Sequence, residues 1–461
     1  MPGGGLSDGV TAPTHDDASD SLILFVLWLV VFSFASQVMI VAPILTRIAE
    51  QLSVTTGLLG TLITAYAFAV GIFALVAGPI SDRVGRRRIL LAGSAMMTVA
   101  LAAHGFVESF AMLFGVRAFA GAAGGILNGA AIAYVGDYFP RERRGWASGW
   151  VMSGLAAGQI AGIPLGIVLA DAFGFRAPFV AFAIVMGVAT VLVWRFVPQP
   201  ETRRTDAPLG VRTAIEAYTD LLRRPGVGAA SLMFALVFLS FPLYIAYLPL
   251  WLETTLGVTG GSIALLFFVG GVGNVLAGPE AGRLSDSVGR KPVIVGASLA
   301  VALVILATPF VAAGLWPVYV VFFVAMALFA SRGSSFQALL TELVPGDRRG
   351  SLMSLTAATG QIGFAIGGAL AGVVFTAFGP GYLANAVLAA AGCLVLGVVA
   401  WRYLPETVVE PTGRAGVTNE RRSAATPSRS FTEIACHQSS DALCGPHQEA
   451  GHMATGHDEN P

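Results

Sequence analysis

Charge is what this chain has least of. Only 12% of its 461 residues are Asp, Glu, Lys or Arg, about half the ~25% of a soluble globular domain. The 27 basic and 27 acidic residues cancel, so there is no basic surplus of the kind a nucleic-acid partner requires. Cysteine is scarce too: three residues, two of them among the last 26, cannot build a disulfide framework. The first apolar run lacks the basic n-region of a cleaved signal peptide; Asp8, Asp16, Asp17 and Asp20 precede it instead. What remains is apolar. Hydrophobic residues make up 55% of the chain and mean hydropathy is +0.74, too high for a disordered or collagen-like chain despite 56 glycines.

An apolar helix of about 20 residues crosses the ~30 Å hydrocarbon layer. Twelve such runs lie near 21–45, 57–80, 88–107, 110–136, 147–170, 177–197, 229–252, 262–282, 292–313, 316–340, 351–377 and 382–404. With both termini in the cytoplasm, the inside loops and tail hold 23 of the 27 basic residues, the outside loops only Arg47 and Arg176, as the positive-inside rule requires. Arg117 and Arg332 fall inside apolar spans. The expected product is a multi-pass protein of the plasma (cell inner) membrane, with the lipid bilayer as its solvent.

The chain repeats itself. Gly78, Asp82, Gly85 and Arg86 recur 204 residues later as Gly282, Asp286, Gly289 and Arg290; Pro140, Arg144 and Gly145 recur 205 later as Pro345, Arg349 and Gly350. A near-constant offset at separate places means a duplicated six-helix unit with both copies in the same orientation, one of the standard transporter architectures. This predicts an all-α integral membrane fold of twelve transmembrane helices in two pseudo-symmetric six-helix bundles. The bundles are expected at 21–197 and 229–404, joined by a cytoplasmic linker at 198–228. Polar tails at 1–20 and 405–461 are expected to be disordered.

Gly78-Pro-Ile-Ser-Asp82-Arg83-Val-Gly85-Arg86-Arg87-Arg88 resembles the signature loop between helices 2 and 3 of the major facilitator superfamily. Its echo, Gly282 to Lys291, stands at the equivalent place in the second half. With the twelve spans, the resemblance covers roughly residues 20–407. It implies a conformational latch made by Gly78, Asp82, Arg83, Gly85, Arg86, Asp286 and Arg290, holding the halves together on the cytoplasmic side. Arg117-x-x-x-Gly121-x-x-Gly124-Gly125 resembles the helix-4 motif whose arginine is linked to proton transfer in drug antiporters. In helix 5, Gly149, Gly158, Gly162 and Pro164 resemble the motif found mainly in efflux members, departing from it by one residue before the proline.

A basic residue near the bilayer centre costs roughly 2.5–3.5 kcal/mol on insertion scales, so Arg117 and Arg332 are expected to face a cavity. The alternatives are bland: Arg117 bonded to backbone carbonyls of helix 1, and Arg332 reaching Glu342 or Glu280. The glycines of helix 5 are equally consistent with ordinary small-residue packing. Pseudo-symmetry places helices 1, 4, 7 and 10 around the centre, which selects Gln37, Tyr244 and Tyr247 as further substrate or coupling residues. No carboxylate lies at mid-membrane depth in the sequence, so proton coupling follows from the resemblance alone.

The reading is a monomeric transporter, not an enzyme, that exports a small organic molecule by alternating access with protons as coupling ion. No cofactor and no metal is called for. One rival is an importer or uniporter for a small organic anion. Another is a non-transporting sensor whose tail, with Cys436, His437, Cys444, His447, His452 and His457, responds to metal.

Overall fold

The computed structural model describes residues 17–200, 218–224, 226–343, 349–378 and 381–404. Twelve helices among them are long and apolar enough to span a membrane. They are α1 Ser19–Met39, α2 Thr56–Ala77, α3 Arg86–Phe106, α4 Phe110–Tyr138, α5 Arg141–Phe173 and α6 Ala177–Phe196 in the first half. The second half has α7 Val227–Leu256, α8 Gly260–Val288, α9 Arg290–Val311, α10 Leu315–Leu340, α11 Leu352–Ala377 and α12 Leu383–Tyr403. The twelve runs read from hydropathy correspond one to one with these helices. The expected disorder of the C-terminal tail, its cysteines and histidines, and most of the linker lie outside the described residues. At the N-terminal edge the expected boundary moves. Helix begins at Asp17, and Asp20 is buried, within 3.5 Å of Arg143 and 3.4 Å of the Tyr138 hydroxyl. That ion pair draws the end of the expected tail into the bundle.

Large apolar side chains such as Ile184 and Val191 on α6, Leu303 and Phe310 on α9, and Val398 and Trp401 on α12 are exposed. In water they would be an aggregation hazard; in a bilayer they are the lipid face.

Four spans are not simple helices, and each break has a local cause. α1 stops at Met39 rather than running to residue 45, because Pro43 opens a tight turn at Ala42–Ile44. The amphipathic helix Leu45–Leu52 follows, burying Leu45 and Ile48. α4 breaks after Leu127, where Gly129 takes a left-handed φ of +76°. α5 carries a π turn at Gly158–Gly162 just before Pro164; proline has no N–H to give, so the ladder must widen there. α7 turns at Tyr247, between Pro242 and Pro249.

The two halves repeat in packing as well as in sequence. The glycine face of α5 lies on α1: a methyl added at Gly158 would fall 2.9 Å from the Phe32 carbonyl oxygen, and one at Gly162 would collide with Ser36. In the second half α11 lies on α7 in the same way, through Gly363 against Ala235 and Gly367 against Leu239.

Candidate transport cavity

Two helices from different halves, α2 and α11, decide where the molecule is open. At the end near Thr56 they touch backbone to backbone. A Cβ at Gly60 would lie 2.2 Å from the Gly368 carbonyl oxygen, and one at Gly372 would lie 2.4 Å from that of Gly57. The Thr64 hydroxyl donates to the Ala365 carbonyl at 2.7 Å, and Gly71 still meets Gln361. Beyond that point the helices part. Ala74 and Ala77 on α2 face Met353 and Ala357 on α11 across a cavity of about 330 Å³, which reaches Ser81 and Arg86 at the arginine-rich end.

This cavity continues inward. Asn128, at the break in α4, lines both it and a central cavity of about 150 Å³. The central wall is aromatic and amide, with Phe34, Phe238, Phe364, Gln159 and Gln361. Four of its residues, Val38, Met39, Tyr66 and Phe364, also line a void of about 10 Å³ that ends on Arg117, room for about one water. The three spaces form a column from the arginine-rich end to Arg117. Among the described residues no Asp or Glu lines any of them.

Arg117 is 1% exposed. Its Nη1 donates to Gln37 Oε1 at 3.2 Å, and its guanidinium lies 4.4 Å from the centre of the Tyr66 ring. Gln37 Nε2 in turn donates to the Tyr66 hydroxyl at 3.0 Å. Side chains from α1, α2 and α4 therefore hold the arginine, rather than the backbone carbonyls of α1. The Nε has no hydrogen-bond partner. A desolvated cation held only by neutral groups is costly to keep, which makes the position a candidate site residue.

The other expected substrate residues are placed elsewhere. Arg332 is fully buried, with Nη1 3.4 Å from Cys393 Sγ of α12 and its charge over the Phe329 ring. It lines none of the three spaces. Nor does it reach Glu342 or Glu280, which pair with Arg290 and Arg283. Its helical phase turns it into the second bundle. Tyr244 is turned the same way, its hydroxyl 3.3 Å from Thr308. Tyr247 faces the other half: its hydroxyl donates to the Thr56 carbonyl at 2.7 Å and accepts from the Gly60 N–H at 3.0 Å, so it seals the closed end instead of lining a cavity. Of the expected set only Gln37 and Arg117 come together. The amides that do line the column, Asn128, Gln159, Gln337 and Gln361, carry no motif; helix identity is legible in a sequence, but helix phase around a cavity is not.

At the arginine-rich end the expected latch residues form two matching clusters. Arg86 binds Asp137 at 2.6 Å and the Ser81 hydroxyl at 3.0 Å. Arg290 binds Glu342 at 3.3 Å and the Ser285 hydroxyl at 2.7 Å, and also pairs with Asp286. Gly85 and Gly289, at φ +107° and +104°, make the same turn before α3 and α9, a backbone that favours glycine. Each of these pairs joins residues of one half. Arg83 is half-buried; Gly78 lies in the helix Thr56–Val84, and the side chain of Asp82 lies outside the described residues.

A third cluster, at the closed end, carries no motif and escapes sequence reading. Arg47, on the helix Leu45–Leu52, binds Asp171 of α5 at 2.7 Å and Glu253 of α7 at 3.6 Å, and Thr46 donates to Glu253. It ties one half to the other. The signal that could have found it is charge on the charge-poor side, where Arg47 has only Arg176 for company.

In the helix-5 set, Gly158 and Gly162 sit at the contact with α1, whereas Gly149 has no atom within 4 Å of an added methyl. Gly149→Ala is therefore expected to leave transport and detergent-extracted stability within experimental error of the parent; a loss of either would show that the position packs in another state.

Known proteins place these features. The family model for the Major Facilitator Superfamily matches residues 27–270 and 230–439. The chain is 27% identical over 362 residues to an uncharacterized MFS-type transporter of Bacillus subtilis, YceJ, covering 76% of this chain and 89% of that protein. It is 26% identical over 369 residues to the multidrug resistance protein MdtG of Dickeya zeae, covering 77% and 88%. A crystal structure of a D-xylose-proton symporter matches with a TM-score of 0.69 at 17% identity, covering 84% of this chain and 98% of that one; at that identity the likeness is one of fold.

Proposed function

The chain belongs to the major facilitator superfamily and is a multi-pass membrane transporter; from that premise we propose that it exports a small organic molecule by alternating access, in exchange for protons. The column that runs from the arginine-rich end to Arg117, shut beyond it by α2 against α11 and by Tyr247, carries this reading. With the arginines on the cytoplasmic side of the plasma membrane, both termini are cytoplasmic and the structure is the state that loads from inside. Opening the far end while the Arg86 and Arg290 side closes would release the cargo outside. Export is favoured by the multidrug resistance proteins among the relatives and by the glycine face of α5. Proton exchange is the coupling that the resemblance to drug antiporters supports. The aromatic and amide lining suits an amphiphilic molecule, and a monomer suffices, since the whole column lies within one chain.

The test compares cells with and without the protein for accumulation of a panel of fluorescent aromatic compounds, before and after an uncoupler collapses the proton gradient. Export predicts lower accumulation in cells that have the protein, and loss of the difference after collapse. Higher accumulation with the protein would make it an importer, and a difference that survives collapse would remove the proton coupling.

A further inference from the structure

We propose that the column takes an amphipathic organic anion, with its acidic head toward Arg117 and Tyr66 and its apolar body against the central aromatic wall. This rests on the transporter reading above but on neither its direction nor its coupling.

Charge along the column comes first. Among the described residues its lining holds two cations, Arg86 and Arg117, and no carboxylate. Arg86 is neutralised by Asp137 at 2.6 Å. Arg117 has only an amide and an aromatic ring, and Arg332 lies off the column, against Cys393. One positive charge at the blind end therefore lacks a counter-ion among the described residues.

Hydrogen bonding makes the same point independently. In the Arg117–Gln37–Tyr66 group the acceptors are already engaged by internal donors. Gln37 Oε1 takes a guanidinium hydrogen, and the Tyr66 oxygen takes one from Gln37 Nε2. What is left over are mostly donors. The Arg117 Nε–H has no partner, and no acceptor for the Tyr66 hydroxyl proton is found among the described residues. The donors without a partner outnumber the one lone pair left on Gln37 Oε1, and with a net positive charge the site is complementary to a carboxylate or another acidic oxygen group. An ammonium ligand would meet a like charge with only that one lone pair to donate to. A neutral ligand would leave the arginine uncompensated.

Shape completes the argument. Tyr66 and Phe364 line both the void at Arg117 and the central cavity, so a head group on Tyr66 places the body beside Phe34 and Phe238. Small head, aromatic body: that is the form of an arene carboxylate.

The test is equilibrium binding to the purified full-length protein in lipid nanodiscs, with three probes of one skeleton: naphthoate, naphthylmethanol and naphthylmethylammonium. Naphthoate is expected to bind at least about tenfold more tightly than the alcohol, the scale of one charge-assisted contact, and the ammonium least. Arg117→Gln is expected to lower naphthoate to the affinity of the alcohol without changing the alcohol, and Arg117→Lys to keep part of the preference. Equal affinities for acid and alcohol, tightest binding of the ammonium, or binding of none of the three would overturn the proposal. If Arg117→Gln fails to fold, the three probes on the unaltered protein still decide. Because no gradient is present, a wrong assignment of export or proton exchange leaves this result untouched, and a failed anion preference leaves the accumulation test standing.

Discussion

Gly60→Val is expected to lower transport by about fivefold or more while the protein still inserts and extracts as a folded bundle. The reason lies in one backbone contact between the halves. A Cβ at residue 60 would fall 2.2 Å from the Gly368 carbonyl oxygen, 3.2 Å from the Gly372 nitrogen, and no flexible side chain is there to give way. The same glycine donates its N–H to the Tyr247 hydroxyl at 3.0 Å, so pushing α2 away from α11 also breaks the seal on α7. Overpacking a well-filled interface costs about 1–3 kcal/mol, which is roughly a 5- to 150-fold change in a two-state ratio. The cost falls on the state in which this end is closed, because only there do the two backbones meet. The protein should then rest with that end open. Spin labels at Thr55 and Thr255, exposed positions at this end in different halves, should report a longer distance in the Gly60→Val protein than in its parent. An unchanged distance together with unchanged transport would show that α2 and α11 need not meet so closely. Gly149→Ala, on the open face of α5, serves as the matched control for adding bulk to a membrane helix.

The contrast between these two glycines shows what the sequence could tell and what it could not. Both stand in apolar helices, and only Gly149 belonged to a family motif. Gly60 carries no mark, since the partner that makes it necessary lies some 300 residues away in the other half. The fold was legible because it rests on sums: twelve apolar runs, arginines on one side, and an offset of 204–205 residues between copies. Even the pairing of Arg86 with Asp137 and of Arg290 with Glu342 obeys that offset, since Glu342 stands 205 residues after Asp137, and could have been read from it.

The site rests on rotations, which do not sum. Arg117 was found because a charge at membrane depth is costly wherever it points. Its partner Tyr66 was not, because one tyrosine in an apolar helix looks like any other. Arg332 has the same cost as Arg117, yet its helix turns it toward Cys393 and away from the column. Tyr244 and Tyr247 are three residues apart on a helix that bends at Tyr247, and that bend sends one into the second bundle and the other across to α2. The prolines that cause such bends are visible in a sequence; the direction in which they aim the next turn is not.

The cluster at the closed end leads to the second large effect, loss of closure when one cation is removed. Arg47 serves two acids from two different elements, Asp171 on α5 and Glu253 on α7, with Glu50 nearby on its own helix. Burial works against its charge, but Glu253, Asp171 and Glu50 outweigh burial and hold its pKa above the usual arginine value, so Arg47 stays charged. Thr46 donates to Glu253, and the Asp171 carboxylate lies against Gly260 in the first turn of α8. In the parent protein, closure of this end is thus supported by one cation shared between two acids on different elements. Arg47→Ala removes that cation and leaves Asp171 and Glu253 without it across the seam. The closed state should lose about 1–3 kcal/mol, between the surface and buried limits for an ion pair, and the labels at Thr55 and Thr255 should separate. An unchanged distance in Arg47→Ala would mean that Arg47 does not hold the halves together.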